Sequence, residues 1–255
     1  GAPTDGIPMG AVVTASGTGA EMNNGAVITY NEKNWKGPFL GSSAAFVVLD
    51  PSYTLSVPPM QVLSGAFDTL SHAMETYLGT SDMDNVSDDV ALAVMRNTVV
   101  NMRRSLADMG DIEARSNLMW DSAMAENGIL KVGRLTDFQA HMIEHQLGAF
   151  TDCNHGQGLA VIQPVYYRHI LKDAEDKFTR FAKVVFGEET AEAGLDALES
   201  FIDECGLPTR MNQLKSTVEI TPDVLRKVAD SCLIMKTGSR ELDRDEIYEI
   251  LTECI

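Results

Sequence analysis

With 255 residues, 44% of them hydrophobic, the chain can bury one large core or two small ones. Its 37 acidic residues outnumber 20 basic ones, and a net charge of −17 excludes nucleic acid and anionic membrane surfaces as principal partners. Cys153, Cys205, Cys232 and Cys254 are widely spaced with no CxxC, which suits a reducing cytoplasm. No apolar run reaches the ~20 residues of a bilayer span. The opening GAPTDGIPMG has no signal-peptide character and no initiator Met, so Gly1 reads as a tag remnant or the start of a fragment.

Three short β-type runs come first, at 11–14, 26–30 and 45–49. The glycine- and polar-rich connectors SGTGAEMNNG and NEKNWKG separate them, and DPSYTLSVPP follows. Three strands without helices between them read as the end of an α/β sheet. The first connector, with its glycines, is a weak candidate for a phosphate-approaching loop. From Pro59 onward the pattern is helical. Helices are expected to about 79, over 85–106, 112–127, 135–147, 155–171, 176–186, 190–205 and 222–233, and again from about 242. Gly148 is expected to stop the fourth of these, Pro164 to kink the fifth, and residues 80–84 to form an acidic turn. The division is therefore 1–58, an α/β remnant, and 59–255, an all-helical domain; the fold class is mainly α.

Within SGAFDTLSHAMETYLG (64–79) the apolar residues recur at helical spacing, and Asp68 and His72 stand four apart on one side. Some seventy residues on, HMIEH carries His141 and His145, and DCNHGQG carries His155. A single histidine is ordinarily a satisfied core or surface residue. One carboxylate and several imidazoles from two helices and the next loop instead suit an open site for Zn²⁺ or Fe²⁺. Cys153 is a weaker alternative ligand, His169 reads as structural, and Glu75 and Glu144 are placed to receive imidazole N–H groups or to face solvent. Glu144 is expected to point off the 141/145 face.

SGTGAEMN, GAVIT, VLDP, YTLSVPP, GAFDTLSHAMETY and HMIEHQLGAFTDCNHGQGLA together resemble the iron-containing (group III) alcohol dehydrogenases, in particular the butanol dehydrogenase and aldehyde reductase branch. NLMWDSAMAENGIL and ELDRDEIYEIL share that look, so the likeness runs from about residue 8 to the end. The resemblance implies a dehydroquinate synthase-like architecture with the active site between a dinucleotide-binding domain and a helical metal domain. It implies Asp68, His72, His141 and His155 as ligands of one Fe²⁺ or Zn²⁺. His145 falls on the family's additional histidine near the nicotinamide, a proton-relay or positioning residue. Thr14, Thr18, Asn23, Lys36, Leu55 and Val57 fall on the second half of the NAD(P) site. The family's Gly-Gly-Gly-Ser phosphate loop is absent from the sequence, and Ala20 stands where Ser is common.

The implied activity is hydride transfer between a nicotinamide and a small alcohol or aldehyde, with the metal polarising the substrate oxygen. One carboxylate beside a divalent ion leaves a site of about +1. Alternatives are a non-catalytic metal-binding fragment, a glycerol-dehydrogenase-like or dehydroquinate-synthase-like relative, and a metallohydrolase. An exposed strand edge favours a homo-oligomer.

Overall fold

The computed structural model describes residues 7–81 and 85–255. Among the described residues of the first fifth of the chain lie four strands: β1 (Gly10–Val12), β2 (Gly25–Tyr30), β3 (Trp35–Leu40) and β4 (Phe46–Val48). β1 and β4 pair in parallel, Gly10 opposite Phe46 and Val12 opposite Val48. β2 and β3 form an antiparallel hairpin from Gly25–Leu40 to Tyr30–Trp35. β3 begins within NEKNWKG, a stretch expected to be a connector. Gly37 and Pro38 mask its β pattern, and a proline is tolerated because this hairpin has two free edges.

The helices are α1 (Pro59–Leu78), α2 (Val86–Ala107), α3 (Ile112–Glu126), α4 (Gln139–Thr151), α5 (His155–His169), α6 (Glu175–Phe181), α7 (Ala191–Glu204), α8 (Pro222–Ser231) and α9 (Arg244–Glu253). A π-helical turn, Ala182–Phe186, continues α6. Side chains at the helix entrances accept the orphan N–H groups of the first turns: Asn85 from Ser87, Asp111 from Ala114, Asn154 from Gln157 and Thr221 from Val224. Asp243 and Glu246 form a reciprocal capping box.

α1 is the hub. The apolar positions of α1 suggested one buried stripe, yet from Val62 to Leu78 every residue except the half-buried Gly65 is buried, and α2, α3, α4 and α5 surround the helix. Two glycines allow close backbone approaches beside Asp68. A Cβ on Gly65 would lie 2.3 Å from the Ser16 carbonyl oxygen, and one on Gly156, 2.1 Å from that of Ser64. The Ser16–Gly17 loop and the start of α5 therefore rest directly on the α1 backbone beside Asp68. On the far side, buried Arg134 pairs with Asp88 and donates to the Tyr77 carbonyl at 2.9 Å, tying the segment before α4 to α1 and α2.

α4 begins and ends later than the sequence suggested. Gly148 lies inside the helix, and the left-handed C-terminal residue is Asp152 (φ 54°), a residue type that tolerates this conformation. Pro164 sits inside α5 and Gly128, in the left-handed region at φ 93°, follows α3. Part of the expected acidic turn, residues 82–84, lies outside the described residues.

Candidate metal centre

Asp68 and His72 are adjacent turns of α1, His141 and His145 adjacent turns of α4, and His155 is the first residue of α5. The three helices bring these side chains to one point. Asp68 Oδ1 lies 3.4 Å from His141 Nε2, 3.4 Å from His155 Nε2 and 3.7 Å from His72 Nδ1. The His72 and His141 rings stack with centroids 4.5 Å apart, and the His155 ring stands 5.3 Å from His141 and 5.4 Å from His145. Asp68, His72 and His141 have donor atoms close enough to share one ion, as do Glu144, His145 and His155.

Each ring is fixed from behind. Glu75, one turn beyond His72 and fully buried, takes the Nδ1 side of His141 with Oε2 while its Oε1 accepts from the Ala140 N–H at 2.7 Å. Fully buried Glu144 does the same for Nδ1 of His155. Glu144 therefore does not point away from the site, as its position in HMIEH suggested. Both histidines are left presenting Nε2 toward Asp68. Lys36, from β3, lies 3.6 Å from the same Glu144. Two further buried glutamates and this lysine therefore stand around the site, beyond the Asp68 from which the balance of about +1 was reckoned.

The protonation states follow from these neighbours. Burial would raise the Asp68 pKa, but the positive charges of His72 and His155 and the close approach of the His141 and His155 rings hold it well below the carboxylate range. Burial opposes charge on His141 and His155; the carboxylates, Glu75 first for His141 and Glu144 first for His155, overcome that and raise them to about 10 and about 9. His145 goes the other way, to about 2, through burial and then the positive charges of His141, His155 and Lys36. Burial also lowers His72.

Of the residues assigned to the dinucleotide, Thr18 lines a cleft of about 320 Å³ together with Ser16, Gln61, Ser64, Asn154 and the inner residues Asp68 and His155. Thr14 and Leu55 are exposed, and Val57 packs against the core. Asn23 is occupied within its own loop, its amide donating to the Gly19 carbonyl at 2.8 Å. In that loop the N–H groups of Gly17 and Gly19 both donate to Ser122 Oγ of α3, at 2.9 and 3.0 Å. They serve to dock the loop and are not free for a phosphate. Cys153 Sγ lies 4.0 Å from Glu144 Oε1 and, buried, is raised to about 11; His169 meets Glu246 at 3.3 Å, on α9. Phe138 was missed altogether. It opens α4 in the left-handed conformation (φ 56°), with its ring 5.0 Å from His141 and 5.9 Å from His72, and a strained phenylalanine leaves no pattern in a sequence.

A helical body on which a carboxylate and imidazoles converge from three helices defines an α-protein with a candidate metal centre. The sequence profile of the Fe-containing alcohol dehydrogenase family, C-terminal domain, matches residues 62–255. NADH-dependent butanol dehydrogenase A of Clostridium acetobutylicum is 31% identical over 96% of this chain, and NADPH-dependent aldehyde reductase YqhD of Escherichia coli K12 is 28% identical over 95%. The crystal structure of NADH-dependent butanol dehydrogenase A from Thermotoga maritima superposes with a TM-score of 0.91 at 28% identity over 98% of this chain and 67% of that one. The chain belongs to the Fe-containing alcohol dehydrogenase family. It spans 65% of the length of the Clostridium enzyme and 66% of that of the Escherichia coli reductase.

Proposed function

We propose that Asp68, His72, His141 and His155 hold one divalent ion, Fe²⁺ or Zn²⁺, and that the protein is an NAD(P)-linked alcohol dehydrogenase acting as a reductase of small aldehydes. The observation that carries this reading is a convergence of unpartnered polar atoms. Asp68 Oδ1, His72 Nδ1 and His141 Nε2 are all buried without a hydrogen-bond partner. Leaving one such atom unpaired costs about 1–3 kcal/mol, so three aimed at one point fit a cation that satisfies them together. The nitrogen and oxygen donors suit either metal, and no thiolate stands among them.

An ion there supplies Lewis acidity to an alcohol or carbonyl oxygen, and the dinucleotide supplies the hydride. The chain's own residues bind, shape and shield. Ser16, Thr18, Gln61 and Asn154 give the cleft above Asp68 and His155 a polar rim of a size suited to a short-chain substrate. His145 Nδ1 is buried and unpartnered, so this ring orients a bound group by hydrogen bonding or passes a proton to or from it. Thr14, Thr18, Asn23, Lys36, Leu55 and Val57 form the chain's share of the dinucleotide surface.

The same reading places the domain boundary between residues 58 and 59, the protein in the cytoplasm, and the open edges of the strand segment in self-association. Among the described residues, no helix is long and apolar enough to cross a membrane. Butanal-dependent oxidation of NADH or NADPH, measured on metal-loaded protein and on its His155→Ala variant, tests the assignment. Turnover that is lost with His155, together with the bound metal by elemental analysis, is the expected result. Undiminished turnover by a metal-free variant would remove the metal from the reaction.

A further inference from the structure

The two histidine-bearing arms differ in how their glutamates are held, and the difference points to a control on metal affinity. Glu75 is locked entirely by α1, α4 and α5: the Ala140 and His141 N–H groups at 2.7 and 3.3 Å, the His141 ring, and Gln163 Nε2 at 3.4 Å. Among the described residues, Glu144 receives the His155 ring and a 4.0 Å thiol contact from within that body, and its remaining partner is Lys36, from the β2–β3 hairpin, 3.6 Å away.

Room has been made for this second arm at a cost. Gly148 lies in the last turn of α4, a place where alanine would favour the helix more. A Cβ there would stand 3.2 Å from Glu144 Oε1 and 3.4 Å from Lys36 Nζ. Gly158, in α5, would bring a Cβ within 2.8 Å of Glu144 Cγ. Gln146 Nε2 donates to the Lys36 carbonyl at 2.7 Å and clamps the strand at that point. Backbone, glycines and clamp together hold an ammonium against the carboxylate that supports a candidate metal ligand.

We propose that Glu75 and Glu144 are positioning residues that set the Nε2-facing state of His141 and His155, and that Lys36, by sharing Glu144, weakens the His155 arm and makes metal affinity depend on the seating of the β2–β3 hairpin. The physical reason is that a carboxylate accepting an imidazole N–H makes the opposite nitrogen a stronger donor. An ammonium on the same carboxylate draws that effect back and adds its own repulsion of a cation. Glu75 has no such competitor, so its arm is constant and the Glu144 arm is adjustable.

This inference rests on the metal reading above, and the test separates the two. Zn²⁺ alone is titrated into the 255-residue chain against a chromophoric chelator, for the wild type, Glu75→Gln, Glu144→Gln, Glu144→Asp, Lys36→Met and the Lys36→Met/Glu144→Gln pair, with the Tm of each metal-free chain alongside. The expectation is one ion per wild-type chain, affinity about 10–100-fold lower in each Gln variant, and partial recovery in Glu144→Asp. Lys36→Met, a change at a partly exposed side chain, is expected to bind Zn²⁺ more tightly than wild type. That gain should shrink when Glu144 is already glutamine. A loss of affinity that merely followed Tm would not produce this opposite sign. A wild-type chain that takes up no Zn²⁺ overturns the metal reading and this proposal together. A wild type that binds while the Gln variants bind equally well, or a Lys36→Met chain that binds more weakly or unchanged, overturns this proposal alone.

Discussion

The strand segment up to residue 58 and the helical body after it are stabilised in different ways. In the body, the apolar residues of α1, α4 and α5 are almost all fully buried in one continuous core. In the strand segment Val13 is the one buried large apolar residue among those described, while Phe46 is 63% exposed and Leu40 56%. Paired backbone hydrogen bonds, a loop capped by Ser122 and a clamp at Lys36 keep the strands in place; packing contributes little. The candidate metal residues all belong to the body, and the strand segment supplies the cleft wall at Ser16–Thr18 and one ammonium. A rigid body thus carries the charged groups, and a lightly held segment adjusts their surroundings.

Substitution can break this contrast most severely at the buried ion pair. Arg134→Ala leaves Asp88 buried and unpaired and is expected to cost about 3–5 kcal/mol, read as a lowered urea midpoint. Leu70→Ala, at a fully buried position of α1, is expected to cost about 2–5 kcal/mol by the same measurement. Asp243→Ala, which removes the reciprocal cap of α9, should cost about 0.5–2 kcal/mol. At the other extreme, Val27→Ala on the exposed hairpin should stay within about 0.5 kcal/mol. A loss at Val27 as large as that at Leu70 would show that the strand segment shares the body's core after all.

Acidity sharpens the comparison within the body itself. His141 and His155, raised to about 10 and about 9 by their carboxylate neighbours against the burial that opposes them, both carry a proton at neutral pH without a metal. An ion must displace both, so binding should release about two protons, and affinity should climb with pH until about 10, less steeply above about 9. Potentiometric titration during Zn²⁺ addition measures this release. In the metal-free chain the sign is reversed for folding. The raised values contribute stability that is fully present below the ordinary value of 6.5 and is lost as pH rises through 9 to 10. Thermal unfolding from pH 7 to 10 should therefore show a falling Tm.

The body was legible in the sequence because helical spacing, caps and glycine stops are local signals. Thr221-Pro222 and Asp243-x-x-Glu246 mark helix starts that the structure has where expected. The i,i+4 pairs 68/72 and 141/145 lie on single helices, so their juxtaposition could be reasoned about before the fold was known. What stayed hidden depends on long-range contact. β3 contains Gly37 and Pro38 and is a strand only because β2 pairs with it. Gly148 resembled a stop signal, whereas its lack of a side chain serves Glu144 and Lys36, groups four and more than a hundred residues away. Glu75 and Glu144 could as well have faced solvent until α1, α4 and α5 closed around them.

In the proposed metal centre two residues of α1, one of α4 and one of α5 share a single divalent ion. Crystals of the chain grown with Zn²⁺ and measured on both sides of the zinc absorption edge test it most directly. One anomalous peak per chain is expected, bonded at roughly 2.0–2.2 Å to Asp68, His72, His141 and His155. A peak whose ligands replace His72 or His155 by His145, or no peak between these helices at all, would contradict it.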